Sequence, residues 1–266
     1  MRHPKFWGEN AAKSLLLRRF MKMILYKIWA AYAAILFLLL MLLSLPVVAT
    51  SMILTPGPRA LRNNIWYLHH VFTPTFLMLV GIRVKVQGQH FLDPKQSYVI
   101  VGNHRSSLDF IVNAHAFPGI FRFLAKQELQ KIPIFGFVVR KMCLIVDRSS
   151  AISRARSVVV MKQNLVEGYS IFIYPEGSRN KGDQALATFY DGAFRIAIQT
   201  GAPLAVQTLV NIHDITANGS GLRPGTVHVV WEPPIQTRNM GSEDIQPLKM
   251  MVEEKMRERL GVRRES

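Results

Sequence analysis

Near its N-terminus the chain has a stretch without charged residues, from Ile28 to Pro58, whose centre, Ala30–Met41, is almost wholly apolar. Its 31 residues in a straight helix would span about 46 Å, more than the roughly 30 Å hydrocarbon core of a bilayer. The stretch is too long, and begins too late, for the apolar region of an ordinary signal peptide. We therefore predict a retained membrane segment that Pro46 breaks or kinks.

The charge distribution gives this segment an orientation. Residues 1–27 contain seven Lys and Arg residues and a single acidic residue, Glu9. The positive-inside rule places them in the cytoplasm. The whole chain has a net charge of +16, which implies an anionic partner, either a membrane surface or a nucleic acid. The apolar N-terminus and the lack of a recognition motif favour the membrane over nucleic acid. We expect a membrane protein, in the inner membrane if the cell is bacterial.

A second uncharged stretch, Asn63–Ile82, is a poor simple span because it contains His69, His70 and Pro74. It could lie at the membrane interface, return through the membrane, or form a soluble helix pair. A single span would place the rest of the chain outside the cytoplasm. A return, or a hairpin in one leaflet, would keep the rest on the cytoplasmic side, where we expect it.

From Arg83 onward, short runs rich in β-branched residues alternate with longer helical segments, a pattern typical of an α/β fold. We predict a largely parallel sheet flanked by helices, in which 1–82 is a basic tail and membrane anchor and 83–266 is the functional domain. The predicted strands are Arg83–Val86, Tyr98–Val101, Arg122–Ala125, Leu144–Val146, Ser170–Tyr174, Leu204–Val210 and Val227–Trp231. The predicted helices are Leu108–Ala116, Glu128–Lys141, Ala151–Glu167, Ala193–Thr200 and Leu248–Leu260.

Two polar segments follow predicted strands, where the sites of α/β folds form. The first follows Tyr98–Val101 and contains His104 and, five residues later, Asp109. On a turn that leads into a helix, the carboxylate can fold back onto the imidazole, fix its tautomer and stabilise the imidazolium. This predicts that His104 is a general base for an alcohol. Taken alone, the spacing also fits a turn histidine with Asp109 capping the helix.

The second polar segment follows Ser170–Tyr174 and runs through Glu176, Gly177 and Ser178 to Arg179. The Arg179 guanidinium offers a fork suited to phosphate, and Gly177 permits a close approach of the backbone to a ligand. A Pro–Gly turn with a solvated charge pair is the alternative for this segment alone.

Together these segments resemble the glycerolipid acyltransferase family, which includes the 1-acylglycerol-3-phosphate acyltransferases. The resemblance covers residues 83–235 and four motif blocks in the family's order and spacing. The first block is Asn-His-x4-Asp, the third is an aromatic residue followed by Pro-Glu-Gly-Thr/Ser-Arg, and the fourth is matched in part. The residues that match the first to the fourth block are, in that order, Asn103, His104 and Asp109; Lys126, Glu128, Leu129, Pro133, Gly136, Asp147 and Arg148; Tyr174–Arg179; and Pro203 with Leu204–Val206.

The resemblance implies an O-acyltransferase of phospholipid biosynthesis. It implies that a fatty acyl group moves from acyl-CoA or acyl-carrier protein to the free hydroxyl of lysophosphatidic acid, which gives phosphatidic acid. The transfer is direct, without an acyl-enzyme, and needs neither a metal nor a cofactor, since the acyl donor is a co-substrate. The partners are then the bilayer, the lysophospholipid acceptor and the acyl donor.

The same resemblance assigns roles to the motif residues. His104 removes the proton of the acceptor hydroxyl, and Asp109 orients it. Asn103, Glu176, Gly177 and Ser178 belong to the substrate-binding motifs. Within them Glu176 binds glycerol hydroxyls or organises Arg179, and backbone amides near Gly177 stabilise the oxyanion. The phosphate of the acceptor is held by Lys126 and Arg179, with Arg122 in reserve.

The chain departs from the family at 189–192, where the family often has basic residues and this sequence has Asp191. The acidic residue leaves open an acceptor with an amine-bearing headgroup, such as a lyso-ornithine or lyso-glycine lipid. A non-catalytic basic membrane-binding protein is the alternative from another class, and the presence of both His104 and Asp109 opposes it.

Other reactive residues offer no competing chemistry. Ser106 and Ser107 do not lie in the Gly-x-Ser-x-Gly elbow of a serine nucleophile. His115 and His213 lack metal-ligand spacing with any cysteine or acidic residue. The single cysteine, Cys143, excludes an internal disulfide and fits a reducing compartment.

Overall fold

The strands predicted from the sequence join in one seven-stranded sheet in this computed structural model, which describes residues 5–55, 57–132, 135–146, 151–219 and 221–262. The strands are β1 (Ile82–Gln87), β2 (Val99–Gly102), β3 (Phe121–Lys126), β4 (Leu144–Val146), β5 (Ser170–Ile173), β6 (Leu204–Leu209) and β7 (Gly225–Trp231). Their order is β1-β7-β6-β2-β5-β3-β4. Every neighbouring pair is parallel except β6 and β7. The prediction of a largely parallel α/β sheet flanked by helices is thus confirmed.

Helices precede the sheet and cover both of its faces. They are α1 (Lys5–Leu54), α2 (Pro58–Tyr67), α3 (Thr73–Leu79), α4 (Asp109–Ala116), α5 (Phe135–Met142), α6 (Ala151–Val166), α7 (Gly192–Thr200), α8 (Ile212–Ile215) and α9 (Ile245–Leu260). The helix predicted at Glu128–Lys141 is instead a 3₁₀ turn, Gln127–Lys131, followed by α5. The motif residues Pro133, Asp147 and Arg148 lie outside the described residues.

The buried strands pack on both faces because their side chains alternate between two cores. In β2, Ile100 enters the core under α3 and α4, together with Val112. Val99 and Val101 enter the opposite core under α6, α7 and α9, together with Phe194. β2, β3, β4, β5 and β6 all run in one direction, so their carboxyl ends meet at one edge of the sheet. The polar motif segments emerge at this edge.

The long helix α1 lies along the domain for much of its length. The Tyr26 carbonyl accepts a hydrogen bond from the Leu222 amide at 3.0 Å, and farther along α1 Val48 is buried against Ile65. Val48 lies 22 positions after Tyr26, which corresponds to about 33 Å of helix. The α1 helix and the sheet domain therefore share one packed interface.

The other side of α1 is apolar and uncovered. Ile35, Leu43 and Ile53 are 62%, 71% and 77% exposed, although each is a large hydrophobic residue. Within Ser14–Leu54, only 22% of the most apolar window is buried. Among the described residues this is the one helix long and apolar enough to cross a membrane by length and composition. An apolar face of this size suits a lipid environment.

Of the two predicted effects of Pro46, the break is wrong, because α1 continues through Pro46 to Leu54. A proline inside a helix removes one backbone hydrogen bond and does not prevent helix formation where packing holds the segment. Ser44 and Val48, on either side of Pro46, are both buried, and the Ser44 hydroxyl pairs with the Tyr67 hydroxyl at 3.0 Å.

The second uncharged stretch, residues 63–82, packs as a helix pair against the sheet domain. Ile65, Phe76 and Leu77 are buried, and the last two belong to the core on the α4 side of the sheet. Between α2 and α3 the chain forms a π-helical turn, Leu68–Phe72. Such turns are rare and frequently mark functional positions.

Candidate active site

His104 and Asp109 lie side by side between the end of β2 and the start of α4. The His104 Nδ1 atom is 2.8 Å from Oδ2 of Asp109. The Asp109 side chain is fully buried, whereas the His104 ring is 22% exposed. The fold-back geometry that the spacing predicts is therefore present, with one face of the pair open to a ligand.

The Asp109 carboxylate is held by three donors on a single oxygen. Besides His104, the backbone amides of Arg105 and Ser106 donate to Oδ2 at 2.7 and 2.8 Å. Burial raises the pKa of Asp109, and the hydrogen bonds from His104, Ser106 and Arg105 oppose that rise. Because Nδ1 of His104 faces an acceptor, it carries the proton, and Nε2 is left as the basic nitrogen.

The ring of Tyr174 fixes the orientation of the His104 imidazole. The two rings stack with centroids 3.9 Å apart and planes at 14°. The Tyr174 hydroxyl accepts a hydrogen bond from Asn113 at 2.9 Å. Burial, followed by the nearby Asp109 charge, raises the pKa of Tyr174 well above its usual value. Tyr174 therefore stays neutral and acts as a flat support for the histidine.

Glu176 connects three loops rather than facing a ligand. Its Oε1 accepts from the His104 amide at 2.6 Å and its Oε2 from the Ala187 amide at 2.9 Å. The residue is 3% exposed. Burial raises the pKa of Glu176, and these two hydrogen bonds oppose that rise. Each carboxylate oxygen of Glu176 thus holds a backbone amide, which gives the residue a structural role, and its expected contact with glycerol hydroxyls or Arg179 stays a prediction.

Two further predicted binding residues also make structural contacts. Asn103 is buried, donates to the Leu209 carbonyl at 3.0 Å and accepts from the Leu209 amide at 2.8 Å, which fastens the loop to β6. The Arg122 guanidinium donates to Asn164 at 2.7 Å and to the carbonyls of residues 142 and 143, at the end of α5, at 3.1 and 3.0 Å. These contacts use the groups that were expected to bind substrate, so both residues hold the scaffold.

The loop after β5 carries the remaining predicted residues. Gly177 has φ of +69°, which favours glycine, and its amide donates to the Tyr174 carbonyl at 3.0 Å. The Gly177 amide is therefore not free for an oxyanion. The next amide, that of Ser178, makes no hydrogen bond within the described part of the chain. Arg179 is exposed, and its guanidinium donates to the Ser107 hydroxyl at 2.5 Å.

Lys126 and Asp191 are the two remaining residues for which the sequence indicates a possible role in acceptor binding. Lys126 is the last residue of β3, and its side chain lies outside what the structure describes. Asp191 precedes α7 and pairs with Lys249 of α9 at 2.7 Å. Its carboxylate is thus occupied in joining two helices, which removes the one local argument for an amine-bearing acceptor.

An inner cavity of about 860 Å³ opens at His104. Its lining combines Ser107, Gly177, Ser178 and Arg179 near the histidine with apolar side chains from α1, α2, β3 and α5 farther in. A mostly apolar cavity of this volume with a few polar groups at its mouth is typical of a ligand site.

An outer groove of about 880 Å³ lies on the other side of three phenylalanines. Phe37, Phe110 and Phe135 line both spaces, with ring centroids 6.2 to 6.5 Å apart. We call these three residues the aromatic wall. The groove runs along the α1 face from Ala30 to Met41. Because these α1 positions adjoin the uncovered apolar side of the helix, the groove is continuous with that apolar surface.

Four basic side chains line the outer groove, and of these only Arg179 was predicted from the sequence to bind substrate. We call Arg105, Arg179, Lys181 and His213 the basic rim. Arg105 is fixed by bonds to the carbonyls of residues 182 and 184 and lies 3.3 Å from His213. Arg105 directly follows His104 in the sequence, and this position could have marked it as a residue of the site. Among the described residues no cluster of His, Cys, Asp and Glu could hold a metal.

Comparisons with known proteins agree with this geometry. The profile of a family described as Acyltransferase matches residues 83–210. The chain is 34% identical to the 1-acyl-sn-glycerol-3-phosphate acyltransferase of Borreliella burgdorferi over 52% of this chain and 55% of that protein. It is 28% identical to 1-acyl-sn-glycerol-3-phosphate acyltransferase alpha of Homo sapiens, over 86% of this chain and 76% of the human protein. The chain thus spans about half the length of the Borreliella relative.

The fold is also shared with a solved structure. The crystal structure of the 1-acyl-sn-glycerophosphate (LPA) acyltransferase PlsC from Thermotoga maritima superposes with a TM-score of 0.74 at 20% sequence identity. The match covers 91% of this chain and 97% of that one. A match of this extent reaches beyond the sheet domain into the N-terminal region.

Proposed function

We propose that the protein acylates the free hydroxyl of lysophosphatidic acid to give phosphatidic acid, because residues 83–210 match the model of the acyltransferase family. The observation that carries the proposal is the His104–Asp109 pair, at 2.8 Å, opening into an apolar cavity beside an exposed arginine. The activity printed in the names of the Borreliella and human relatives supports the same substrate.

The chemistry begins at Nε2 of His104. This nitrogen removes the proton of the acceptor hydroxyl as the oxygen attacks the carbonyl carbon of the acyl thioester. Asp109 stabilises the imidazolium that forms. When the tetrahedral intermediate collapses, the carbon–sulfur bond breaks, and the thiolate takes the proton from the imidazolium. The cycle leaves an ester, a free thiol and a neutral His104.

Two groups near the loop after β5 stabilise charge during this reaction. The Ser178 amide is available for the oxyanion of the intermediate, in place of the Gly177 amide expected from the sequence. Arg179 holds the phosphate of the acceptor with its planar fork, and Lys126 at the end of β3 contributes a second cation.

The two apolar spaces suit two acyl chains. His104 lines the inner cavity and not the outer groove, so the thioester lies at the mouth of the inner cavity with the donor chain inside. The acceptor already carries a chain and comes from lipid, and the outer groove is continuous with the exposed face of α1. Its phosphate then meets the basic rim. The aromatic wall keeps the two chains apart while their head ends meet at Ser107 and Arg179.

We assign the protein to the membrane, with the sheet domain on the cytoplasmic side. The uncovered apolar face of α1 supports membrane binding, and the basic residues before it favour the cytoplasmic surface. Soluble acyl-CoA or acyl-carrier protein reaches the site from the water side. The 1–82 region is then the anchor and 83–266 the catalytic domain.

The test is an acyl-transfer assay with the full chain purified in detergent. Acyl-CoA and acyl-carrier protein are offered separately as donors, with lysophosphatidic acid, a lyso-ornithine lipid and monoacylglycerol as acceptors. We expect phosphatidic acid and stoichiometric thiol release with lysophosphatidic acid. Product from the lyso-ornithine lipid alone would keep the mechanism and replace the substrate. No product from any pairing would reject the proposal in favour of a non-catalytic membrane-binding protein.

A further inference from the structure

Two basic side chains lie at the junction of the inner cavity and the outer groove. Within the described part of the chain, Arg179 and Lys181 are the only Lys or Arg residues that line both spaces, and neither lining contains an aspartate or a glutamate. A negatively charged group that reaches this junction therefore meets positive charge with no acidic side chain in the lining to oppose it. The sequence motifs predict a role for Arg179, but they predict none for Lys181.

The other two members of the basic rim are engaged by the protein itself. The Arg105 guanidinium donates to the carbonyls of residues 182 and 184 through one nitrogen, and a second nitrogen lies 3.3 Å from His213. Burial, followed by the nearby Arg105 charge, lowers the pKa of His213, so this ring is neutral at neutral pH. The charge that the rim offers to a ligand thus comes from Arg179 and Lys181.

Lys181 is exposed, and it makes no hydrogen bond or ion pair with any residue that the structure describes. Asp183, two positions later, is also exposed but lines neither space and forms no ion pair with Lys181. The ammonium group of Lys181 therefore has its three donors available for a ligand.

The backbone on both sides of Lys181 is tied to the catalytic histidine. The Asn180 amide donates to the His104 carbonyl at 2.7 Å. The Asn180 side chain accepts from the Gly182 amide at 2.9 Å and donates to the carbonyl of residue 184 at 3.0 Å. These bonds, together with those from Arg105, fix the position of the Lys181 backbone relative to His104. The flexible side chain thus starts from a fixed point beside the reacting groups.

We propose that Lys181 selects acceptors whose phosphate is a monoester, by binding the terminal phosphate oxygen that Arg179 leaves free. The inference rests on the proposed function, since it concerns the acceptor of that reaction. A phosphate monoester carries a charge of about −1.5 to −2 and three terminal oxygens. The planar fork of Arg179 binds two of these oxygens, and the compact ammonium of Lys181 binds the third. In a phosphodiester headgroup the third oxygen is esterified and carries no charge.

The experiment compares lysophosphatidic acid with lysophosphatidylglycerol, a phosphodiester, using acceptors of one acyl chain length and the full-length protein in detergent. Lys181→Met should raise KM for lysophosphatidic acid about threefold to tenfold with little change in kcat. This effect is smaller than that of a buried charged hydrogen bond, because Lys181 is exposed. The use of lysophosphatidylglycerol should stay within about twofold. Lys181→Arg should keep most of the affinity, since it keeps the charge.

Lys95→Met is the matched control, because Lys95 is exposed, precedes β2 and lines neither space. It removes the same charge from the chain and should keep the wild-type KM. An unchanged KM in Lys181→Met would overturn the inference, as would an equal rise for both acceptors. Acyl-CoA also carries phosphates, so its KM is measured as well. A rise in KM for acyl-CoA in place of lysophosphatidic acid would assign Lys181 to the donor and overturn the inference.

A second readout separates this inference from the proposed function. Binding of a lysolipid raises the unfolding temperature whether or not an acyl group is transferred, so each acceptor is added without a donor. If no acceptor is acylated, the proposed function fails. The role of Lys181 then stands only if lysophosphatidic acid stabilises the wild type more than Lys181→Met, with no such difference for lysophosphatidylglycerol. Equal stabilisation of the two proteins by lysophosphatidic acid would overturn it.

Discussion

The loop after β2 and the loop after β5 contribute to one site but are built differently. In residues 103–109, Asn103 and Asp109 are buried, and hydrogen bonds with backbone groups or with His104 hold the Asn103 amide and Oδ2 of Asp109. In residues 174–180, Ser178 and Arg179 are exposed, and Arg179 is fixed by one hydrogen bond to Ser107. The comparison shows that the reacting group is held rigidly, whereas the binding group is left adjustable.

The largest expected effect comes from removing the base itself. His104→Ala should reduce kcat about a hundredfold to ten-thousandfold, because general base catalysis contributes that range. The measurement is thiol release with lysophosphatidic acid, accompanied by a flotation assay to show that membrane binding is retained. Turnover near that of the wild type would mean that the rigid loop does not carry the chemistry.

Asp109→Asn tests whether the loop after β2 needs the charge of Asp109 for activity. The amide cannot accept from His104, Arg105 and Ser106 as the carboxylate does, so the histidine loses its fixed tautomer. We expect kcat to fall about a hundredfold. In the double variant with His104→Ala, the losses should not multiply, because the two residues act as one unit. Multiplicative losses would separate their roles.

Arg179→Ala tests the adjustable loop. Losing a charged hydrogen bond to phosphate should raise KM for lysophosphatidic acid about tenfold to a hundredfold with little change in kcat. Arg179→Lys should recover part of this affinity, since it keeps the charge but not the fork. Monoacylglycerol, which has no phosphate, provides the control acceptor. An equal loss with monoacylglycerol would show that Arg179 supports the loop instead of binding phosphate.

The smallest expected effect concerns Glu176, which joins the two loops. Since burial raises its pKa in the folded protein, the carboxyl is more easily ionised in the unfolded chain. The wild type should therefore lose stability relative to Glu176→Gln as the pH rises from the ordinary carboxyl range through the raised folded-state pKa. Thermal unfolding in detergent across this window measures the difference. A wild type that gains stability relative to Glu176→Gln as the pH rises would contradict the raised pKa of Glu176.

Much of this fold follows from hydrophobic patterning. All seven strands were predicted within about two residues, because short β-branched runs between helical segments have few alternatives in an α/β sheet. The continuity of α1 through Pro46 was not predictable, because it depends on packing at Ser44 and Val48 that only the folded chain supplies. The local sequence predicts the energetic cost of a proline inside a helix, but it does not show the tertiary contacts that offset this cost.

The contact between His104 and Asp109 was predicted, whereas their catalytic role stays a prediction. Spacing at a strand end allows this pair and equally allows a helix cap, and the resemblance to a family favoured the pair. Residue type alone did not show that Arg122 and Glu176 serve the scaffold, since this depends on the direction of each side chain. For Arg122 a signal existed: Phe121 and Phe123 line the inner cavity, and alternation along a strand sends the residue between them to the other face.

The uncovered face of α1 has a consequence for the unit in which the acceptor concentration is expressed. An enzyme held at a lipid surface meets a lysolipid that diffuses in two dimensions, so its rate depends on the mole fraction of the acceptor among the surrounding lipids and not on moles per litre. Diluting the acceptor with inert detergent at constant bulk concentration should therefore slow the reaction. The rate still depends on the molar concentration of the soluble donor. The two substrates of one active site therefore need two different units of concentration.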